Sequence, residues 1–364
     1  MTTLLALTRN PWLRVLAVVA SLVLAVVALW WQGPDWDIVY HAFDFVRWRW
    51  IAVGVGLNLV SVLARAWAWN LTIHQAMPEP QPPFRAVFSS FGVGLLGNAV
   101  LPARAGELAR VAVLRRHVSA GPGSSATLLG TVFAHRVFDI FPIALLIGYV
   151  ALTAKLPSWA VTGVVTVALV GVCLLSVAVL TADRAHGEPI HGERTARRLV
   201  TMARQGLAVM RVPTAALAAI VFQVIGWTLQ LFAVWAATKA FGLDVPLPAA
   251  ALVLLLMNVA TLFPLWPGNV GLLQAAVALP LVQYGVAYGT GFAYGLVLQA
   301  IEMSVGVGVG LAMLAREGLS FASLKRIEDA EEERAEDVVE ELVGEPELLA
   351  VDVEPALTEG RSRR

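Results

Sequence analysis

Between residues 12 and 315 the chain keeps returning to one feature, an apolar run as long as a bilayer is thick. A helix that crosses a hydrocarbon core of about 30 Å needs about 20 apolar residues. Uninterrupted runs of that kind lie at about 12–32, 49–75, 126–152, 158–181, 213–240 and 289–315. Only 14% of the residues are charged and the mean hydropathy is +0.73, whereas soluble domains carry about 25% charge. Backbone N–H and C=O groups in lipid must be satisfied within the element that carries them, which restricts spanning structure to helices and closed barrels. Continuous rather than alternating apolar runs select helices. The expected class is an all-α polytopic membrane protein.

Two further apolar segments, at about 84–114 and 247–285, are interrupted. In the first, Gly92, Gly94 and Gly97 lead to Pro102, with Gly106 four residues on. In the second, Pro264 is followed by Pro267, by Gly268 four residues after the first proline, and by Gly271. Proline removes a backbone donor and kinks or ends a helix. Each break leaves arms of roughly 14–18 residues, about 21–27 Å at helical rise, which is short for a crossing.

Charge decides between a crossing and a hairpin. The loop at about 182–212 carries Arg184, Arg194, Arg197, Arg198, Arg204 and Arg211 against Asp183, Glu188 and Glu193. Short basic loops stay in the cytoplasm. Arg9, Arg14, Arg115, Arg116 and His117 ask for the same side, while Asp35, Asp37 and Asp44 suit the outside. Six spans with two re-entrant hairpins place the N-terminus, the Arg115–His117 turn, the arginine loop and the C-terminus all inside; two single crossings would put the arginine loop outside. The expected arrangement is therefore an inverted repeat, with cytoplasmic N- and C-termini in a cell (inner) membrane. Such repeats bind substrates near the midplane.

The formal charge of zero hides an asymmetry. Residues 1–326 hold 22 Lys/Arg and 12 Asp/Glu, a net of +10; residues 327–364 hold 4 Arg and 14 Asp/Glu, a net of −10. The expected domains are a membrane body over 1–316 and an acidic tail over 317–364, whose like charge and few aromatics favour disorder. Cys173 is alone and the six histidines show no ligand spacing, so neither a metal nor a cofactor is expected, and no nucleic-acid partner.

A charge at the bilayer centre costs about 2.5–3.5 kcal/mol on insertion scales, so those that persist are paired, hydrated or used. The candidates are Arg65, Arg104, Glu107, Arg110, Arg136, Asp139 and Glu302, four cations against three anions. Glu107 stands three residues from both Arg104 and Arg110, within helical reach of either. One carboxylate cannot neutralise both, and a helix starting at the break offers free N–H groups to an anion. Guanidinium matches phosphate bidentately. Arg110 has a second reading, as an interfacial anchor beside Arg115 and Arg116. Arg136 and Asp139 are spaced to pair with each other, and His135 beside them is either a structural hydrogen-bonding residue or a proton carrier. Arg65 lies between a snorkelling and a functional role, because Trp67 and Trp69 flank it as an interfacial belt would. The second break has no charge, only Trp266, Asn269 and Gln274 as polar edges. One cationic and one neutral, aromatic hairpin suit an amphipathic ligand.

The stretches "NAVLPARAGELARVAVL", "HRVFDI" and "FPLWPGNVGLLQAA" resemble the flippase-like membrane domain of lysylphosphatidylglycerol synthases over about residues 13–316. Asn98, Pro102, Ala103, Arg104, Gly106, Glu107 and Arg110 match the family's first motif. The resemblance implies a lipid-handling domain with two re-entrant segments, which in the synthases moves an aminoacylated lipid between leaflets. His135 and Gln274 stand where the family usually has Glu. Both departures remove negative charge, and so favour an anionic lipid, a phospholipid or a polyprenyl-phosphate carrier, over a lysylated one. The 48 residues past Arg316 are too few for an acyltransferase domain, and no P-loop sequence is present.

The expected function is passive or ion-coupled movement or presentation of an anionic lipid. Asn98, Pro102, Arg104, Gly106, Glu107, Arg110 and Arg136 would receive the head group. His135, Asp139 and Glu302 would balance charge or relay protons. Pro264, Trp266, Pro267, Gly268, Asn269, Gly271 and Gln274 would form the second hairpin's face. Two alternatives stand beside it: a membrane enzyme or accessory subunit of a lipid-linked glycosyl- or phospho-transfer pathway, and a scaffold of a lipid-synthesis complex. Partners open to the chain are membrane lipids, a second copy of itself, and lipid-synthesis enzymes.

Overall fold

The computed structural model describes residues 34–77, 80–100, 106–118, 124–155, 212–261 and 269–320, with isolated positions 23, 162–163, 322 and 326. All regular structure among them is helical. In chain order the helices are α1 (Trp36–Ala42), α2 (Trp48–Ala76), α3 (Phe84–Val100), α4 (Gly106–Arg115), α5 (Ser124–Thr153), α6 (Pro213–Ala240), α7 (Leu247–Ala260), α8 (Leu272–Leu281) and α9 (Tyr288–Arg316). A single 3₁₀ turn, Val282–Tyr284, extends α8.

Four helices, α2, α5, α6 and α9, are long and apolar enough to cross a membrane. Their bounds lie within two residues of the expected runs. The runs expected at about 12–32 and 158–181, the arginine loop and the acidic tail lie outside the described residues. Helix α1 was not expected; it is seven residues long, and the Asp35 carboxylate caps it by accepting from the Asp37 N–H at 3.0 Å. Local chemistry sets the other ends. Pro213 opens α6 with its preset φ. Gly242 and Gly318, both at φ +64°, take the left-handed turn that ends α6 and α9. Beyond them Leu243 N donates to Thr238 O at 3.0 Å and Leu319 N to Leu314 O at 3.1 Å, which satisfies otherwise open carbonyls.

Helices α2 and α6 run antiparallel along most of their length. Arg47 N donates to Ala240 O at 2.9 Å at one end, and Ser61 Oγ donates to Gly226 O at 2.7 Å further along. Helix α5 runs parallel to α6: Phe138 packs with Ala219, while Lys155 N reaches the Tyr284 hydroxyl at 2.7 Å at the far end. Thr153 and Pro213 therefore stand at opposite ends of the bundle.

The interrupted segments form two pairs of short arms. Helix α4 folds back along α3 so closely that glycine is required at the contact. A Cβ on Gly97 would lie 2.6 Å from Gly106 Cα, and one on Gly106 would lie 2.5 Å from Asn98 N. The chain enters α3 beside the point where it leaves α4, since Pro83, Arg85 and Ala86 share a cleft with Arg116 and His117. Helices α7 and α8 also pack together, and Asn269 Nδ2 donates to Ala260 O at 3.3 Å across the foot of their connection.

Helix α9 orders the two pairs. Its N-terminal half packs on α8, with Gly291 against Ala278 and Gly295 against Gln274. Its C-terminal half packs on α3, with Gly306 against Leu95 and Gly310 against Leu96. The pairs enter from opposite ends and stop near Gln299 and Gly306, about 10 Å apart along the helix at 1.5 Å per residue. Glu302 lies between those levels, the fifteenth of 29 residues. Large apolar side chains such as Val53, Leu63, Phe133, Leu145 and Leu217 remain exposed on the outer faces, as lipid contact requires.

The α4 and α9 ends are latched together. The Glu317 carboxylate, 8% exposed, accepts from Ser89 Oγ at 2.6 Å and meets His117 Nε2 at 2.8 Å. Burial pushes the Glu317 carboxyl up, but the Ser89 and His117 hydrogen bonds and the nearby charges of His117 and Arg116 outweigh it and hold it below the ordinary glutamate value. A carboxylate whose folded value is depressed stabilises the fold above its unfolded value and loses that contribution as pH falls through the folded one. Glu317→Gln is therefore expected to lower the melting temperature of the purified protein at about pH 7, with the gap closing only below about pH 4.5. A gap independent of pH would remove the latch. Gly106→Val is expected to cost about 1–3 kcal/mol by overpacking, measured by denaturation in mixed micelles; an unchanged midpoint would mean that α4 does not sit on α3 this closely.

Candidate functional site

Six charged side chains gather at the level where the two pairs of short arms meet. Glu107, in the first turn of α4, pairs with Arg110 one turn on and with Arg136 of α5. Arg136 Nη1 also donates to Asp139 Oδ2 at 3.3 Å. Asp139 Oδ1 in turn accepts from Gln223 Nε2 at 2.6 Å and Trp227 Nε1 at 3.0 Å, both on α6. Arg65 of α2 donates to the Gln230 side-chain oxygen, and Gln230 Nε2 donates to Glu302 Oε1 at 3.0 Å. Five helices thus contribute to one polar layer.

Exposure divides the three arginines. Arg110 is 4% exposed at its side chain; its guanidinium lies 4.7 Å from the Trp69 ring centroid and 5.7 Å from that of Phe91. Those ring faces replace water as its solvation. Arg65 is half-buried, with its guanidinium 5.4 Å from the Trp227 ring. The Arg136 side chain is 46% exposed although it contacts both Glu107 and Asp139. It is the open guanidinium of the layer.

Several sequence expectations are corrected here. Arg110 is not an interfacial anchor. Its helical position carries it under Trp69 and Phe91, because α4 is ten residues long and starts at bundle centre. Arg136 does not pair with Asp139 alone but also bridges to Glu107 on another helix. Trp69 is no belt residue; it is fully buried and its Nε1 donates to Thr131 Oγ1 at 3.1 Å. Arg65 does not snorkel away, since Gln230 fixes its head within the bundle.

The remaining candidates fall in three groups. Asn98, in the last turn of α3, faces Glu107 with its amide, and Gly106 sits against its backbone. His135 is 2% exposed, edge-on to Phe91 with centroids 5.9 Å apart. Pro102, Arg104, Pro264, Trp266, Pro267 and Gly268 lie outside the described residues. In the second pair of arms, Asn269 has φ +47° and Gly271 φ +95°, and Gly271 N donates to Gln274 Oε1 at 2.6 Å, which caps α8. Gln274 Nε2 reaches Gln299 Oε1 at 2.6 Å on α9. Gln299 is one turn from Glu302, so α9 connects the neutral pair of arms to the charged layer. Among the described residues, no cluster of His, Cys, Asp and Glu has metal-binding geometry.

Three partners escaped the sequence reading: Gln223, Trp227 and Gln230. Their signal was present. In "FQVIGWTLQ" the spacing of four and then three puts all three polar groups on one face of an otherwise apolar helix. Glutamine carries no charge, so a search for charged residues at membrane depth passes over it.

A family model described as the lysylphosphatidylglycerol synthase TM region matches residues 18–310. No curated protein and no solved structure matches the chain. The matched region takes in the polar layer, both pairs of short arms and almost all of α9. The chain belongs to the lysylphosphatidylglycerol synthase transmembrane-region family, whose members share a multi-pass membrane domain.

Proposed function

We propose that this protein moves or presents an anionic, amphipathic lipid between leaflets, with the lipid phosphate received at the polar layer. The carrying observation is the half-exposed Arg136 guanidinium at the level where the two pairs of short arms converge. The six charges of the layer are three cations and three anions, which balance. Arg104 lies in the connection between Val100 and Gly106 and brings a further positive charge to that place in the chain. The net result is one cation in excess, which suits a phosphate. The second pair of arms carries no charged residue between Leu247 and Leu281, which suits the less polar part of the ligand. In this reading the arms are re-entrant hairpins and the bundle is a transporter rather than an enzyme.

The end bearing Arg85, Arg115, Arg116 and Arg316 faces the cytoplasm, and the end bearing Asp35, Asp37, Asp44 and Asp244 faces out. The six arginines between Asp183 and Val212, which lead into α6 at Pro213, support this orientation.

Three measurements test the proposal. In liposomes, the purified protein is expected to exchange labelled anionic lipids between leaflets, and Arg104→Ala or Arg136→Gln to slow exchange about 10- to 100-fold, the loss of a charged hydrogen bond of about 1.5–3 kcal/mol. Exchange of no lipid class, or full rates in both Arg104→Ala and Asn269→Ala, would sink it. Arg136→Gln and Glu107→Gln are expected to combine less than additively, because they remove two ends of one contact; strict additivity would place Arg136 outside the layer. Single cysteines at His117 and His41, in a Cys173→Ala background, should react with a membrane-impermeant thiol reagent from opposite sides. Labelling of both from one side would overturn the orientation.

A further inference from the structure

At the end of the bundle where α4 leaves and α9 stops, a cleft of about 450 Å³ is lined by Pro83, Arg85, Ala86, Arg116, His117, Arg316 and Glu317. The polar layer does not use it. Its one carboxylate is already engaged: Glu317 is held by Ser89 and His117, and Arg116 Nη1 donates to the Glu317 backbone oxygen at 3.3 Å. Among the described residues no ion pair engages Arg85 or Arg316, and both are exposed. The cleft is therefore cationic, and Arg85 and Arg316 are open within it.

The complementary charge lies on the same chain. Residues 327–342, "IEDAEEERAEDVVEEL", carry nine Asp/Glu and one Arg, a net of −8. The first of these acids, Glu328, is eleven residues beyond Glu317. Eleven residues span about 16 Å as a helix and about 36 Å fully extended, so the segment reaches the cleft in either form. Tethering at that length gives an effective concentration in the millimolar range. With this end facing the cytoplasm, as proposed above, an anionic inner leaflet repels such a segment, while the open arginines of the cleft attract it.

We propose that this cleft is the docking site for the chain's own acidic segment, residues 327–342. Docked there, the segment covers the point where the chain enters α3 and leaves α4, and neutralises the arginines that an approaching anionic head group would otherwise meet. High salt and competing polyanions would release it. The proposal is independent of which substrate, if any, the polar layer takes.

Photocrosslinking tests it in the full-length protein. A photoreactive residue replaces Ala335, the protein is placed in zwitterionic nanodiscs, and crosslinked peptides are mapped by mass spectrometry. Crosslinks are expected to concentrate on residues 83–86, 115–118 and 316–317, and to fall about five-fold or more when salt is raised from about 0.05 M to about 0.5 M. Arg85→Glu with Arg316→Glu should abolish them. Adding Glu331→Lys, Glu332→Lys, Glu333→Lys, Glu336→Lys and Asp337→Lys to that variant, which takes the segment's net charge from −8 to +2, should restore them, an outcome that a misfolded protein cannot give. Crosslinks scattered over the surface, insensitivity to salt, or failure of the charge swap to rescue would overturn the proposal. Loss of the crosslinks in nanodiscs containing phosphatidylglycerol would also overturn it, and would assign the cleft to lipid head groups instead.

Discussion

Glu107 holds guanidinium groups from two helices at a depth where water is scarce, and the rest of the bundle depends on that contact. A lone charge there costs about 2.5–3.5 kcal/mol on insertion scales, so the six of the polar layer would together cost about 15–20 kcal/mol if each stood alone. That exceeds the net stability of a typical domain, about 5–15 kcal/mol. The layer is tolerable only because each charge meets another charge or a side-chain amide. The partners come from α2, α4, α5, α6 and α9, so the layer forms only once these helices are together.

The short arms follow from the same constraint. A helix of ten residues, such as α4, is about 15 Å long and cannot cross a bilayer. It can, however, place a first-turn carboxylate at the bundle centre, next to the start of its helix. Glycine makes the placement possible. Gly97 and Gly106 let two backbones approach where any Cβ would collide. The second pair of arms solves its turn locally, with Gln274 capping Gly271 and Asn269 tied to Ala260, and it brings no charge. The asymmetry between the arms is chemical, while their placement along α9 is nearly symmetric.

Much of this was legible beforehand. The four described long helices and the places of the two breaks follow from apolar run length and from proline and glycine, but the second arm of each pair, ten residues in both α4 and α8, is shorter than the roughly 14–18 expected, because the helix starts only beyond the break. The charged residues of the layer were recognisable one by one, because a charge inside an apolar run is conspicuous. Their partners were less so. Glu107 had two arginines within helical reach along its own segment, and nothing local indicated that its second partner would be Arg136, 29 residues on. Trp69 looked like an interfacial residue because its neighbours Arg65 and Trp67 did, although its buried Nε1 instead binds Thr131.

The sequence by itself determined the periodic facts: helical spans, breaks, a basic body and an acidic tail. These depend on run length and composition, which are local properties. Tertiary structure alone decided that Arg110 would be buried under two aromatic rings, that Arg136 would be the open guanidinium, and that Gln223, Trp227 and Gln230 would complete the layer. The physical reason is that a charge in a bilayer is stabilised by whatever polar group lies closest in space, and residues from five helices become neighbours only when the helices pack.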